Sequence, residues 1–165
     1  VAPCQEADVL IRSADPENVD KGLAMLRTCA DSRPDDAVAW YRLGSALDFT
    51  DREAEAMVAY QRVFDLGVGR LDPDDQPCLY VQAGSTLRNL DRLDEARSLL
   101  EAGRSRFPKF AALTVFLALI EVSAGRDRRA IDLLFEALLD EGSGDGSIEV
   151  YSRALHFYAG KLRQP

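Results

Sequence analysis

Apolar residues recur along this chain three and four positions apart, and no stretch sustains a strict apolar–polar alternation. The pattern predicts helices joined by short connections, at about 4–14, 16–31, 36–48, 52–66, 77–89, 92–105, 109–123, 127–140 and 147–162. Boundary signals agree with that division. Asp15-Pro16-Glu17 combines a capping side chain, a proline suited to the first helical position and an acid near the positive end of the dipole. Thr50-Asp51-Arg52-Glu53 has the spacing of a capping box, and Asp91 precedes another start. Gly67 and Gly125 stand where helices should end, and Pro34 and Pro108 interrupt the chain between elements. One segment stands apart. Residues 110–122, FAALTVFLALIEV, carry a single charge, Glu121, and are apolar on every side. A helix of that kind is normally buried.

The helices also repeat. Aligning the second helix of each predicted pair puts Gly22, Ala56, Ala96 and Ala130 in one column, with steps of 34, 40 and 34 residues. Four residues later comes a large apolar side chain each time: Leu26, Tyr60, Leu100 and Leu134. In the first helices, Trp40, Tyr80 and Thr114 are followed four residues on by Gly44, Gly84 and Ala118. Leu47, Leu87 and Glu121 come three residues after those. Small residues in facing columns let paired helices approach closely, and the large ones fill the groove to the next pair.

These columns resemble those of the tetratricopeptide repeat. AWYRLGSAL followed by AEAMVAYQRV shows the likeness best, and the next unit closes on the proline such repeats carry, Pro108. The resemblance covers about residues 3–140. It implies an all-α solenoid of about four helix hairpins, units at about 3–36, 37–70, 77–110 and 111–144, and a closing helix at about 147–162, all in one domain. It also implies that the first helix of each unit lines a concave groove that takes up a protein or peptide partner. The groove positions are then Val38, Tyr41, Arg42, Ser45 and Asp48, next Cys78, Val81, Gln82, Ser85 and Arg88, and last Ala112, Val115, Phe116, Leu119 and Val122. Ala7 and Ile11 stand where a carboxylate-binding member would carry Lys and Asn, so recognition of a C-terminal carboxylate is not expected. The first unit has Glu6 and Leu10 in place of the aromatic and the small residue, so its first helix should pack less regularly. Six extra residues within GVGRLDPDDQ read as a longer loop.

Composition narrows the partner. Of 165 residues, 47% are hydrophobic and 29% charged, with a net charge of −8, which disfavours nucleic acid and anionic membrane surfaces. Seventeen of the twenty basic residues are Arg, scattered among acids, which reads as a solvated face and hints at a GC-rich bacterial genome. The longest uncharged run near the centre, residues 110–120, is too short for a membrane helix. Val1-Ala2-Pro3 suits a mature N-terminus after signal peptidase, and the proline before Cys4 argues against a lipidated cysteine. These features point to an exported or periplasmic protein, with the cytoplasm as the alternative.

Chemistry finds little purchase. His156, the single histidine, has no Cys, Asp or Glu three or four residues on, which excludes a helix-borne metal pair there. GSGDGS is glycine-rich, but Glu141, Asp145 and Glu149 surround it and would repel a phosphate, so it reads as a linker. DPDD at 72–75 reads as a solvated turn. No Ser or Cys has an obvious base. The expectation is therefore no enzyme, no cofactor and no metal. Cys4 and Cys29 fall at facing points of an antiparallel hairpin; a disulfide in an oxidising compartment and two buried thiols in the cytosol both fit. Cys78 reads as a partly buried thiol.

Two functions survive: a scaffold binding an apolar or amphipathic polypeptide in its groove, or a homo-oligomerisation domain using the Val115–Val122 stripe and the C-terminal helix. Whatever covers Val115, Phe116, Leu119 and Val122 (the final helix folded back, a second copy in a homodimer, or a foreign segment) decides between them, the alternative being that the last helix stacks as an ordinary closing helix and the stripe stays partly open.

Overall fold

The computed structural model describes residues 2–13, 15–141 and 147–162, and the side chains of these except 2–5, 141, 147–149, 158, 159, 161 and 162. Among the described residues the structure is all helical: α1 (Ala2–Ile11), α2 (Pro16–Ser32), α3 (Ala37–Phe49), α4 (Glu53–Leu66), a 3-10 turn (Val68–Arg70), α5 (Asp75–Asn89), α6 (Leu93–Arg106), α7 (Ala112–Ser123), α8 (Asp127–Glu141) and α9 (Ser147–Leu162). The fold class is the all-α helical repeat that the columns imply. The chain divides into two compact units, Val1–Leu90 and Asp91–Pro165. In the first, α1 pairs with α2 and α3 with α4, and α5 lies against α3 and α4; in the second, α6, α7, α8 and α9 pack in succession.

The packing columns explain these pairs. Gly22 lies so close to α1 that a Cβ there would sit 2.8 Å from Ile11 Cγ1 and 2.9 Å from the Ala7 carbonyl oxygen. A Cβ on Gly44 would meet the Tyr60 ring at 2.6 Å. Ala56, Ala96 and Ala130 are buried, as are Leu26, Tyr60 and Leu100. The first helix thus uses Ala7 and Ile11, both buried, where the register offered Glu6 and Leu10, and Glu6 points to solvent. Leu134 departs from its column: it is exposed where Leu26, Tyr60 and Leu100 are sealed.

Several local expectations are corrected. Thr50 does not cap α4. Its hydroxyl donates back to the Ala46 and Leu47 carbonyls of α3, and Arg52 precedes the helix without a side-chain cap. The turn is made by Asp51 at φ 57°, and Asp91 at φ 58° and Gly125 at φ 71° repeat the left-handed residue before α6 and α8. Each left-handed residue is followed by an arginine: Arg52, Arg92 and Arg126. Arg52 and Arg92 donate to Glu55 and Glu95 three residues on, ion pairs across the first turn that leave its amide donors uncapped. Helix α1 ends at Ile11 because Ser13 and Asp15 turn the chain into the Asp15 cap on Glu17 N. Helix α7 begins at Ala112, since Phe107–Phe110 close a turn after Pro108. The extra segment between α4 and α5 is packed as well as looped: Val68 and Leu71 are buried, and Gln76 Nε2 donates to the Leu71 carbonyl at 3.1 Å.

Candidate partner-binding site

Four of the groove positions converge in the first unit. Tyr41, Arg42 and Ser45 from α3 and Gln82 from α5 line one cleft of about 310 Å³. Helix α1 supplies Asp8 and Ile11, the turn after it supplies Arg12, and Ala46 and Phe49 complete the apolar wall. The helical period sets this arrangement: Tyr41, Ser45 and Phe49 succeed one another at i, i+4 and i+8 on one stripe of α3.

The floor of the cleft is a hydrogen-bonded lattice. Ser45 Oγ donates to Gln82 Oε1 at 2.9 Å, and the Tyr60 hydroxyl reaches the same oxygen at 3.2 Å from behind. Thr86 Oγ1 donates to Asp48 Oδ1 at 2.7 Å, extending the lattice one turn along α5. Arg42 pairs with Asp8, tying α3 to α1 at the rim. Burial pushes the Tyr41 hydroxyl up to about 12, with the charges of Asp75 and Cys78 adding to it. Tyr41 is therefore a neutral hydroxyl throughout the physiological range, able to donate or accept. The cleft offers a fixed polar floor, one ion-paired arginine, a second arginine at its edge and an apolar wall ending in exposed Phe49.

The remaining groove positions lie elsewhere. Val38 is exposed at the start of α3, and Val81, Ser85 and Arg88 are half-buried on α5 outside the cleft lining. In the second unit, Val115 and Phe116 are half-buried on α7 while Leu119 and Val122 are exposed. The other face of α7 is sealed by Leu113, Leu117, Ala118 and Ile120. The single charge of this apolar helix is itself buried: Glu121 accepts from Arg97 Nε at 2.8 Å and from Arg126 Nε. Missing from the sequence-derived list were Asp8, Ile11, Arg12, Ala46 and Phe49. The i+4 continuation from Ser45 points to Phe49, whereas the α1 residues depend on a first helix whose register the columns misread by one position.

A second cleft, about 520 Å³, opens in the second unit beside the Arg104–Glu136 ion pair, with Phe107, Pro108 and Phe110 along one side. Cys78 is half-buried; its thiol donates to the Asp74 carbonyl at 3.2 Å, and burial with the nearby Asp75 and Asp74 charges pushes its pKa up. That makes it a poor nucleophile. His156 is exposed, with Nδ1 2.7 Å from the Ser152 carbonyl oxygen. Among the described residues no group of three His, Cys, Asp or Glu side chains could hold a metal ion, and no helix is long and apolar enough to cross a membrane. The Cys4 side chain and residues 142–146 of GSGDGS lie outside the described residues, so the proposed Cys4–Cys29 bridge and the linker reading do too.

No curated protein matches the chain significantly. The family described as Tetratrico peptide repeat matches residues 37–162. The match starts at α3, leaving out the hairpin whose columns depart most, and it runs through α9. Repeats of this family generally mediate protein–protein interactions and are typically non-catalytic. With most of its length matched and its hairpins built on the repeat's small and large columns, the chain belongs to the tetratricopeptide repeat family.

Proposed function

We propose that this chain is a protein-interaction scaffold that seats an apolar or amphipathic segment of a partner polypeptide, with the α1–α3–α5 cleft as its principal site. The observation that carries this reading is the cleft's construction. A polar floor fixed by Gln82, Ser45 and Tyr60 lies beside an apolar wall of Ile11, Ala46 and exposed Phe49. Such a surface suits a segment that presents backbone or polar groups to the floor and one or two apolar side chains to the wall. Arg12 at the edge favours an acidic flank on that segment. Recognition by burial at Phe49, with Tyr41 and Gln82 orienting the ligand, fits the usual division between a few anchoring contacts and a surrounding of near-neutral ones. An exported location belongs to the same proposal, and mass measurement with and without reductant tests it through Cys4 and Cys29.

The experiment is selection of peptides from a displayed library on the wild-type protein, followed by binding isotherms with Phe49→Asp and Arg12→Ala. Phe49→Asp should weaken the selected peptides by at least about tenfold, equivalent to about 1.4 kcal/mol. Peptides bound equally by wild type and Phe49→Asp would place recognition outside this cleft. The homo-oligomeric reading is favoured by a different observation, at the other end of the chain.

A further inference from the structure

In the first unit, α5 mates with α3 and α4 through three side-chain contacts. Gln82 meets Ser45 and Tyr60, and Thr86 meets Asp48. The repeat carries each of these positions into the second unit. A step of 40 and then 34 residues takes Ser45, Asp48 and Tyr60 to Leu119, Val122 and Leu134. Two steps of 34 take Gln82 and Thr86 to Val150 and Ala154 on α9. Helix α9 is thus in register as the first helix of a further unit, with Ile148, Ser152 and Leu155 falling in the columns of Thr114, Ala118 and Glu121.

Every polar partner of the first unit has become apolar, yet the interface is open. Leu119 is 40% exposed, Val122 50%, Leu134 44% and Val150 76%, and Ala154 is exposed beside Tyr151 at 66%. The columns of Tyr151 and Ala154 are buried in each earlier first helix after α1, as Leu43 and Ala46, Ala83 and Thr86, and Leu117 and Ile120. The reason is the way α9 is seated. It packs against α8, with Ser152 and Leu155 half-buried, and so turns its register-matched face to solvent. A terminal helix that only closes a repeat array carries a polar outer face. This one carries Val150, Tyr151 and Ala154.

We infer that the α7–α8 stripe of Leu119, Val122 and Leu134 is the seat for the α9 helix of a second copy of this chain, and that the exchange is reciprocal. Each copy holds both halves of one apolar interface, the stripe and the α9 face, and within the chain neither half covers the other. A two-fold pair fills all four halves at once and closes on itself, giving a dimer and no filament. The occupant is specified by register: the residue facing Leu134 and Leu119 is Val150, and the residue facing Val122 is Ala154. This inference rests on the second unit alone and is independent of peptide binding in the α1–α3–α5 cleft.

Light scattering over a wide concentration range tests it. The wild-type protein should have twice the mass of one chain. Leu134→Glu and Val150→Lys should each give a monomer with unchanged far-UV circular dichroism, and the doubly substituted chain Leu134→Glu/Val150→Lys should return to a dimer through the facing charges. Val122→Asp, on an exposed position, repeats the test should Leu134→Glu fail to fold. A wild-type protein of one chain mass throughout overturns the inference, including the case in which its own α9 covers the stripe. A dimer insensitive to all of these substitutions overturns it equally, because the interface then lies elsewhere.

Discussion

Gly44→Ala is the sharpest test of how these hairpins are held together, because local propensity and packing push it in opposite directions. In the middle of α3, alanine is favoured over glycine by about 0.8–1 kcal/mol of helix propensity. Against this, the new Cβ would stand 2.6 Å from Tyr60 Cε1 and 2.7 Å from Cδ1. Carbon atoms in contact prefer about 3.5–4.0 Å, so the ring would have to retreat by about 1 Å. Tyr60 has nowhere to go. It is fully buried, and its hydroxyl bonds Gln82 Oε1. Overpacking of this kind costs about 1–3 kcal/mol, and a strained or broken buried hydrogen bond adds about 1 kcal/mol. The net expectation is a loss of about 1–3 kcal/mol.

Urea unfolding followed by far-UV circular dichroism measures this, and at about 2–4 °C per kcal/mol for a chain of this size the melting temperature should fall by roughly 2–12 °C. Gly69→Ala is the control, since a Cβ there meets nothing within 4 Å, and it should leave stability almost unchanged. On a Tyr60→Leu background the ring is gone, so Gly44→Ala should lose its cost, giving a coupling of about 1 kcal/mol or more. A stabilised Gly44→Ala protein would refute the close α3–α4 approach on which the repeat reading is built.

Three other sets of substitutions probe different links. Glu121→Ala takes the nearer carboxylate from half-buried Arg97, leaving only Asp94 at 3.7 Å, and should destabilise by about 1–3 kcal/mol, while Arg97→Met/Glu121→Leu together should recover most of that in the same urea assay. Asp91→Gly should raise the melting temperature, since glycine accepts φ 58° without penalty, whereas Gly125→Ala, at φ 71°, should cost about 1 kcal/mol; equal effects of the two would contradict the repeated left-handed turn. Burial raises the Asp48 carboxyl above its usual value despite the Thr86 hydrogen bond, with Glu53 and Asp51 adding to it. The folded state therefore binds that proton more tightly than the unfolded one, and Asp48 costs stability as pH rises through and above the carboxylate range. Asp48→Asn should melt higher than wild type at pH 7, with the gap closing as pH falls toward 4; a gap that widens in acid would refute the sign.

Much of this was legible in the residues, for a physical reason. Backbone-level features, such as helix periodicity, the Asp15 cap and the small columns at Gly22, Gly44 and Ala56, depend on neighbours within the same hairpin, and those the sequence displays directly. Thr50 misled because a hydroxyl near a helix end has two outlets. It bonded back to Ala46 and Leu47 where a capping box would have sent it forward. The cleft was half visible: Tyr41, Arg42, Ser45 and Gln82 follow from the register of α3 and α5, but Asp8 and Arg12 needed the packing of α1, where Ala7 and Ile11 took the buried positions.

The α7 segment shows where pattern reading stops. Its apolar circumference was plain, and a buried helix was the natural inference, yet one of its most buried side chains is the charged Glu121 while Leu119 and Val122 face outward. Both facts come from what surrounds the helix. Arg97 from α6 and Arg126 after α7 supply the charge that makes Glu121 worth burying. The outward stripe, by contrast, is left exposed, and in the dimer proposed above its other half would be Val150 and Ala154, farther along the chain. A hydrophobic pattern states that a surface is to be covered; only the register between columns states by what. In this chain that register pairs the stripe with α9, and the dimer proposed above would give the apolar excess of α7 and that of α9 one cause.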